Sequence, residues 1–501
     1  MPVDPWEILP VKNDVTRRIL SILQSTDRMI LLRAPAGSGK TITSLAYALS
    51  QAVKGKRIGL FFRTVSQVDY ALKTLSTLIK GNSTLEEKVK IIAVLGKVQY
   101  CIRPPQGRQA FPIWCSYSKC DLRKIRGSGA LPSVLSPIQQ IIEMCKSRRE
   151  CPYYRVLAEV NKANVVLATQ AFFINDNLFE KLGELDEAIV DEAHGLLFLT
   201  FEIDHETYEK GKKLSKVNIE KLTVDEAIEL SRYDDYVKSD GEEVVLSDKR
   251  LKILPPIRLV KKRLSKLKKL VMMSATIYPT NLFKLIFAKD IKARVEVIPG
   301  LIRSTEKRKI VGIAVRGLSS KHEKRTPQTY DKYAKVIMIL IRKYGKPTLI
   351  LAPGYEFANE IAKRLGAKVV KDPAEIRGEV VVSVLRGRLS EGIDIDLGES
   401  VKLLIIAGLP YRPRTPEFIS IAKIYAREYG VNFYNVSRAL EESDMVNALI
   451  QALGRVGRKD RGVGIILDER IAKKQLGIIA VSYTHLRAHE TEADLVCRLL
   501  L

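Results

Sequence analysis

A short apolar run, Arg28-Met29-Ile30-Leu31-Leu32-Arg33, stops at Ala34-Pro35-Ala36-Gly37-Ser38-Gly39-Lys40-Thr41. Helical spacing follows at once, with Ile42, Leu45, Ala46 and Leu49 on one face. A strand, a glycine-rich turn and a helix in that order match the phosphate-binding pattern G-x-x-x-x-G-K-[ST], with Ala34 in place of the first glycine. The glycines let backbone N–H groups approach phosphate oxygens, and the helix N-terminus adds positive potential. Lys40 supplies a charge for the β- and γ-phosphates, and Thr41 a hydroxyl for Mg²⁺.

The same alternation continues. Arg57–Phe62 reads as a strand and Val68–Ile79 as a helix, and further apolar strands stand at Ile91–Leu95, Ala163–Ala168, Glu187–Val190 and Leu270–Met273. A second alternating block runs from about 306 to 475, with strands at Thr348–Leu351, Val380–Val384, Leu403–Ile406 and Gly464–Leu467. Strands alternating with helices predict an α/β fold with parallel sheets covered on both faces. Two segments break the rhythm. Residues 97–155 carry eleven Lys/Arg against three Asp/Glu, and residues 201–260 carry fourteen Asp/Glu against eleven Lys/Arg and read as largely helical.

Chemistry is placed at strand ends. Asp191-Glu192-Ala193-His194 directly follows Ala188-Ile189-Val190, where an α/β sheet presents its reactive groups. Asp191 suits Mg²⁺ held through water, and Glu192 suits orienting the attacking water in phosphoryl transfer. His194 is either a packed core histidine or a coupler to the rest of the protein. In the second block, Gln451-Ala452-Leu453-Gly454-Arg455-Val456-Gly457-Arg458 sets two arginines three apart, suited to reaching a γ-phosphate from another domain. Asp394 in Arg386–Asp394 adds a polar contact to the nucleotide.

Cysteine use is uneven. Cys101, Cys115, Cys120, Cys145 and Cys151 fall within fifty-one residues, and Cys497 stands apart. The first three are separated by thirteen and four residues. Clustered thiols without a secretory signal read as metal ligands. Four thiolates suit either a [4Fe–4S] cluster or zinc.

Charge and length set the outer bounds. The 501 residues allow three to five domains at ~100–200 residues each. The formal net charge of +26 points to a polyanionic partner. The densest basic stretch, Lys261-Lys262-Arg263 with Lys266, Lys268 and Lys269, is either a nucleic-acid contact or a solvated helix face. With no eighteen-residue apolar run and no basic-then-apolar leader, a soluble intracellular chain is expected. From about Ser482 the periodicity stops, and Ser482-Tyr483-Thr484-His485-Leu486-Arg487-Ala488 resembles translated adapter sequence. Residues 481–501, Cys497 included, are therefore set aside as a non-native tail.

Taken together, these residues resemble a superfamily 2 helicase of the DEAH type, and the cysteine-bearing insertion resembles that of the xeroderma pigmentosum group D (XPD) family, archaeal type. The motifs are Ala34–Thr41, Arg63-Thr64, Asp191–His194, Ser274-Ala275-Thr276, Ala352-Pro353-Gly354-Tyr355-Glu356, Arg386–Asp394, Gly408-Leu409-Pro410-Tyr411 and Gln451–Arg458, spread over residues 15–475. The resemblance implies two RecA-like P-loop motor domains, at 1–96 with 156–200 and 261–300, and at 301–480. It places an iron–sulfur domain at 97–155 and a helical arch domain at 201–260, both inserted in the first. It implies ATP and Mg²⁺, strand contacts at Arg63 and Thr64, and 5′→3′ movement on single-stranded and forked DNA in nucleotide excision repair. It also implies a monomer that meets other repair proteins, in the archaeal cytoplasm at the nucleoid or in a eukaryotic nucleus. Cys101, Cys115, Cys120 and Cys151 become the cluster ligands, because Cys151-Pro152-Tyr153-Tyr154 matches a family signature, and Cys145 is a spare or alternative. A single-strand translocase or an RNA helicase with the same motor remains the competing expectation.

Overall fold

The computed structural model describes residues 3–35, 37–102, 115, 120, 122, 138–218, 221–276, 279–298, 308–371, 379–385, 401–454, 456, 461–472 and 482–485. Ten strands precede residue 300: β1 Met29–Arg33, β2 Ile58–Phe62, β3 Ile91–Val94, β4 Val165–Thr169, β5 Glu187–Val190, β6 Thr200–Asp204, β7 Glu242–Val245, β8 Lys249–Ile253, β9 Lys269–Ser274 and β10 Arg294–Val297. Seven of them form one parallel sheet in the order β10-β1-β9-β5-β2-β4-β3. Its central strands are buried along nearly their whole length, the pattern of a sheet covered on both faces. The order brings the C-terminal ends of β1, β9, β5, β2 and β4 side by side, so five loops from distant stretches of sequence meet along one edge.

The second half holds β11 Arg308–Ala314, β12 Thr348–Ala352, β13 Val380–Val384, β14 Leu403–Ala407, β15 Gly462–Leu467 and β16 Ser482–His485, a second parallel sheet in the order β13-β12-β14-β15-β11-β16. Its edge strand β16 comes from the segment expected to be a non-native tail.

Residues 201–260 differ from the largely helical segment expected. Helices His205–Leu214 and Val224–Lys238 pack beside an antiparallel sheet, β6-β8-β7. Charged residues on the open face hid the period-two alternation: in Lys249-Arg250-Leu251-Lys252-Ile253 only Leu251 and Ile253 are buried.

The two halves are not cut cleanly at residue 300. Helix Pro416–Tyr429 buries Phe418, Ile421, Ala422, Tyr425 and Tyr429 in the core of the first sheet. The Tyr425 hydroxyl donates to Leu197 O at 2.8 Å, and that of Tyr429 to Ile286 O at 3.0 Å.

Two cations of the densest basic stretch are buried, and three others pair with carboxylates at the surface. Arg263 is fully buried; it donates to Phe173 O (2.7 Å), Ile174 O (3.1 Å) and Asp176 (2.7 Å), and stacks on Phe179. Lys269 donates to Ser25 O at 2.6 Å, and Lys262, Lys266 and Lys268 pair with Asp240, Glu180 and Asp186. Arg263→Ala leaves two carbonyls and a carboxylate short of a donor and should lower stability by about 2–4 kcal/mol. Arg263→Lys should restore less than half of that, because one ammonium cannot reproduce the planar fork. Urea denaturation of the three proteins checks both.

Candidate functional site

The phosphate-type turn leaves β1 and enters helix Lys40–Val53. Gly37 and Gly39 have φ of +73° and +85°, and a β-carbon at Gly39 would lie 2.9 Å from the Thr16 methyl. Glycine is needed there on both counts. Lys40 is buried and donates to Ala34 O and Pro35 O, both at 3.0 Å. The Ser38 hydroxyl is buried with no hydrogen-bond partner among the described residues. Ala36 lies outside the described residues.

Asp191 and Glu192 follow β5, next to the turn. Thr41 Oγ1 donates to Asp191 Oδ2 at 2.6 Å, so the hydroxyl and carboxylate that could share a Mg²⁺ ion already touch. Glu192 has φ +51° and ψ +44°, a left-handed conformation that costs a non-glycine residue about 1–3 kcal/mol. Burial and the neighbouring Glu192 charge push the Asp191 carboxyl up. Burial pushes Glu192 up as well, but its bond to His194 and the charges of Lys40 and Arg63 outweigh it and hold that carboxyl below the usual range. Of the pair, Glu192 keeps its negative charge more firmly.

His194 joins the motifs. Its Nδ1 lies 3.0 Å from Ser274 Oγ and 3.1 Å from Glu192 Oε2. A carboxylate only accepts, so Nδ1 carries the proton. Nε2 is then an acceptor, and it faces the Gln451 amide at 3.2 Å and Arg63 Nη1 at 3.4 Å. Ser274 in turn meets Thr276 Oγ1 at 3.0 Å. One ring thus touches the ends of β5, β9 and β2 and the helix Phe433–Leu453 of the second half. Thr64 caps helix Val65–Ile79 together with Gln67.

Arg455, Arg458 and Asp394 lie outside the described residues, as does 386–400. Sequence reasoning missed two contributors. Gln170, at the end of β4, donates to Asp191 O at 2.7 Å and Glu192 O at 3.2 Å. Asp468, fully buried after β15, accepts from Leu409 N (3.0 Å) and Arg470 (2.7 Å), and Arg470 covers the Tyr411 ring. Both are polar residues directly after an apolar strand, the signal that found Asp191.

The cysteines divide. Cys115 and Cys120 lie close enough to Cys151 for their charges to bear on its thiol. Burial raises the Cys151 thiol, and the backbone N–H groups of Tyr154 and Tyr153, at the start of helix Pro152–Glu159, act in the opposite direction and favour its thiolate. Cys101 ends a helix, Lys97–Tyr100, that packs on the same helix. Cys145 is shut in the core, where burial and then Glu150 push its thiol up to about 11. The donor chemistry suits a thiolate-bound group, with Cys151 a better ligand than Cys145. Among the described residues no three His, Cys, Asp or Glu side chains gather closely enough to hold a metal ion.

Comparison with known proteins agrees with this geometry. The DEAD_2 family model matches residues 61–205, and the helicase C-terminal domain model matches 357–481. The ATP-dependent DNA helicase XPD of Sulfolobus acidocaldarius is 27% identical over 237 residues, 44% of this chain and 38% of the relative. A solved XPD helicase structure superposes with a TM-score of 0.70 at 19% identity, covering 95% of this chain and all of the other. The chain is thus similar to XPD helicases in sequence over part of its length and in fold over nearly all of it. A regulator of telomere elongation helicase 1 homolog from Anopheles gambiae is 35% identical over 127 residues, 24% of this chain and 12% of that protein. The matches thus span well under half the length of these curated relatives. The fold is that of XPD-like structures with two RecA-like helicase domains.

Glu192→Gln keeps the shape and removes the charge. ATP turnover should fall at least ~100-fold while a fluorescent ATP analogue still binds within about threefold of the parent. Steady-state turnover and analogue titration check the two halves of that statement.

Proposed function

We propose that this XPD-like chain is an ATP-driven DNA helicase that moves 5′→3′ on single-stranded DNA and opens forked duplexes, serving nucleotide excision repair. The observation that carries the reading is His194. It bonds Glu192 beside the phosphate turn, Gln451 in the second half and Arg63, the residue proposed to hold the strand. An arginine drawn to a DNA phosphate would leave Nε2 to Gln451, so strand binding and the hydrolytic carboxylate share one ring. Lys40 and the turn glycines take the phosphates, Thr41 and Asp191 the Mg²⁺, Glu192 the attacking water, and Gln451, Arg455, Arg458 and Asp394 act across the cleft. Mg²⁺ neutralises charge on the phosphates when bound.

The proposal extends to a [4Fe–4S] cluster on Cys101, Cys115, Cys120 and Cys151, bracing the 59 residues of 97–155. It includes the domain boundaries given above, with helix Pro416–Tyr429 of the second domain seated in the core of the first, repair proteins as partners and a monomeric state. Among the described residues no helix is long and apolar enough to cross a membrane.

A fork-unwinding assay with DNA and RNA tracks and either overhang tests the motor. DNA forks with a 5′ tail should open only with ATP, and Lys40→Ala should abolish opening and hydrolysis while strand affinity survives. Opening from 3′ tails alone contradicts the polarity, and a preference for RNA tracks supports the RNA reading. For the cluster, anaerobically purified parent and Cys145→Ser should be brown and carry iron and sulfide, whereas Cys151→Ser should be colourless. Zinc in a colourless parent would overturn that assignment.

A further inference from the structure

Gln170 stands outside every motif, yet it reaches the turn on which hydrolysis depends. It follows β4, and β2 lies between β4 and β5 in the sheet, so its side chain spans the end of one strand to meet the loop of another. The side chain is buried, and its Nε2 donates to the carbonyls of two successive residues, Asp191 at 2.7 Å and Glu192 at 3.2 Å. The slot has no spare room: a β-carbon on Gly195 would lie 2.9 Å from Gln170 Oε1. The Glu192 carbonyl also accepts from Gly195 N–H at 3.0 Å.

We propose that Gln170 is a positioning residue that holds the Asp191–Glu192 turn in its left-handed form and thereby aims the Glu192 carboxylate. The inference rests on the ATPase reading above. Glu192 in the ordinary right-handed conformation would turn its carbonyl to a different direction and carry its side chain off His194. Two carbonyls anchored by one amide fix successive peptide planes, and so fix the direction of the Glu192 Cα–Cβ bond between them. A primary amide has the two N–H donors this needs. Gln170 bonds no side chain of Lys40, Thr41 or Asp191, the groups given to ATP and Mg²⁺; its contact with Asp191 is to the main-chain carbonyl alone. Its loss should therefore change the rate of the chemical step and leave nucleotide affinity alone.

The full chain is assayed for ATP turnover with saturating single-stranded DNA. Gln170→Glu keeps the shape and, when ionised, presents only acceptors to two carbonyl oxygens. Its kcat should fall ~10–100-fold, with KM for ATP and strand affinity within about threefold of the parent. Gln170→Met, similar in size and without a donor, should lose kcat in the same way, again with KM for ATP within about threefold of the parent.

Turnover within about twofold of the parent in both variants overturns the proposal, as does a loss carried by KM instead of kcat. If Gln170→Glu does not fold, Gln170→Met carries the test; if neither folds, the residue is structural and the proposal falls. A parent chain that hydrolyses no ATP overturns the motor reading itself, an outcome distinct from an active parent with unaffected variants.

Discussion

The two hydrogen-bonding edges of one imidazole hold the site together. His194 gives its proton toward Glu192 and Ser274 and takes donors from Gln451 and Arg63. A neutral imidazole has one donor and one acceptor, so what happens on one edge bears on the other. The bond between His194 and the second half is a 3.2 Å contact with the Gln451 amide, worth about 1 kcal/mol net. A bond that weak can be made and broken within a nucleotide cycle. The groups it links belong to packed strands and helices, so its geometry is reproduced each time it forms.

The stronger contact between halves lies elsewhere. Helix Pro416–Tyr429 seats two buried tyrosines against carbonyls of the first half, and Arg412 stacks on Phe198 at 4.6 Å. Phe198 closes the turn that begins at Ala193, so this apolar contact and the His194 network share one stretch of six residues. By core membership the buried apolar residues of 310–409 belong to the second sheet, those of 418–440 to the core of the first and those of 445–471 to the second again, so the chain crosses in the loop after β14 and back within helix Phe433–Leu453. That loop is itself anchored: the Asp468 carboxylate holds Leu409 N–H, and Gly408 has φ +103°, with room for no side chain beside Ser320.

Legibility in the sequence followed the range of the interaction. The phosphate turn, the Asp191–His194 loop and most strands are local patterns and stood out in the chain. Gln170 did not, because its role is defined by two carbonyls at 191 and 192, and a side chain bonding to backbone leaves no residue-type signature at the other end. The sheet β6-β8-β7 was hidden for a different reason: its open face is so rich in Lys, Arg and Glu that two buried aliphatics in five residues read as noise. His194 was legible only as an alternative, since its residue type fits a packed core position as well as a coupler. Three partners from separate stretches, Arg63, Ser274 and Gln451, favour the second of those readings.

The basic run at 261–269 shows why a charge total is a poor map of where a polyanion binds. Lys269 opens β9 and Ser274 closes it, so the run sits at the opposite edge of the sheet from the site, about 17 Å away at ~3.3 Å per residue. There Arg263 and Lys269 are buried on main-chain carbonyls and Asp176, while the exposed Lys262, Lys266 and Lys268 pair with Asp240, Glu180 and Asp186. A buried cation whose hydrogen bonds are satisfied within the fold offers little to a phosphate, so the charge total overstates what this run presents. Arg63 stands at the other end of the sheet, on the loop edge, where it meets Nε2 of His194 at 3.4 Å. The surroundings of each cation, buried or exposed, are therefore a better guide to a polyanion than the charge total.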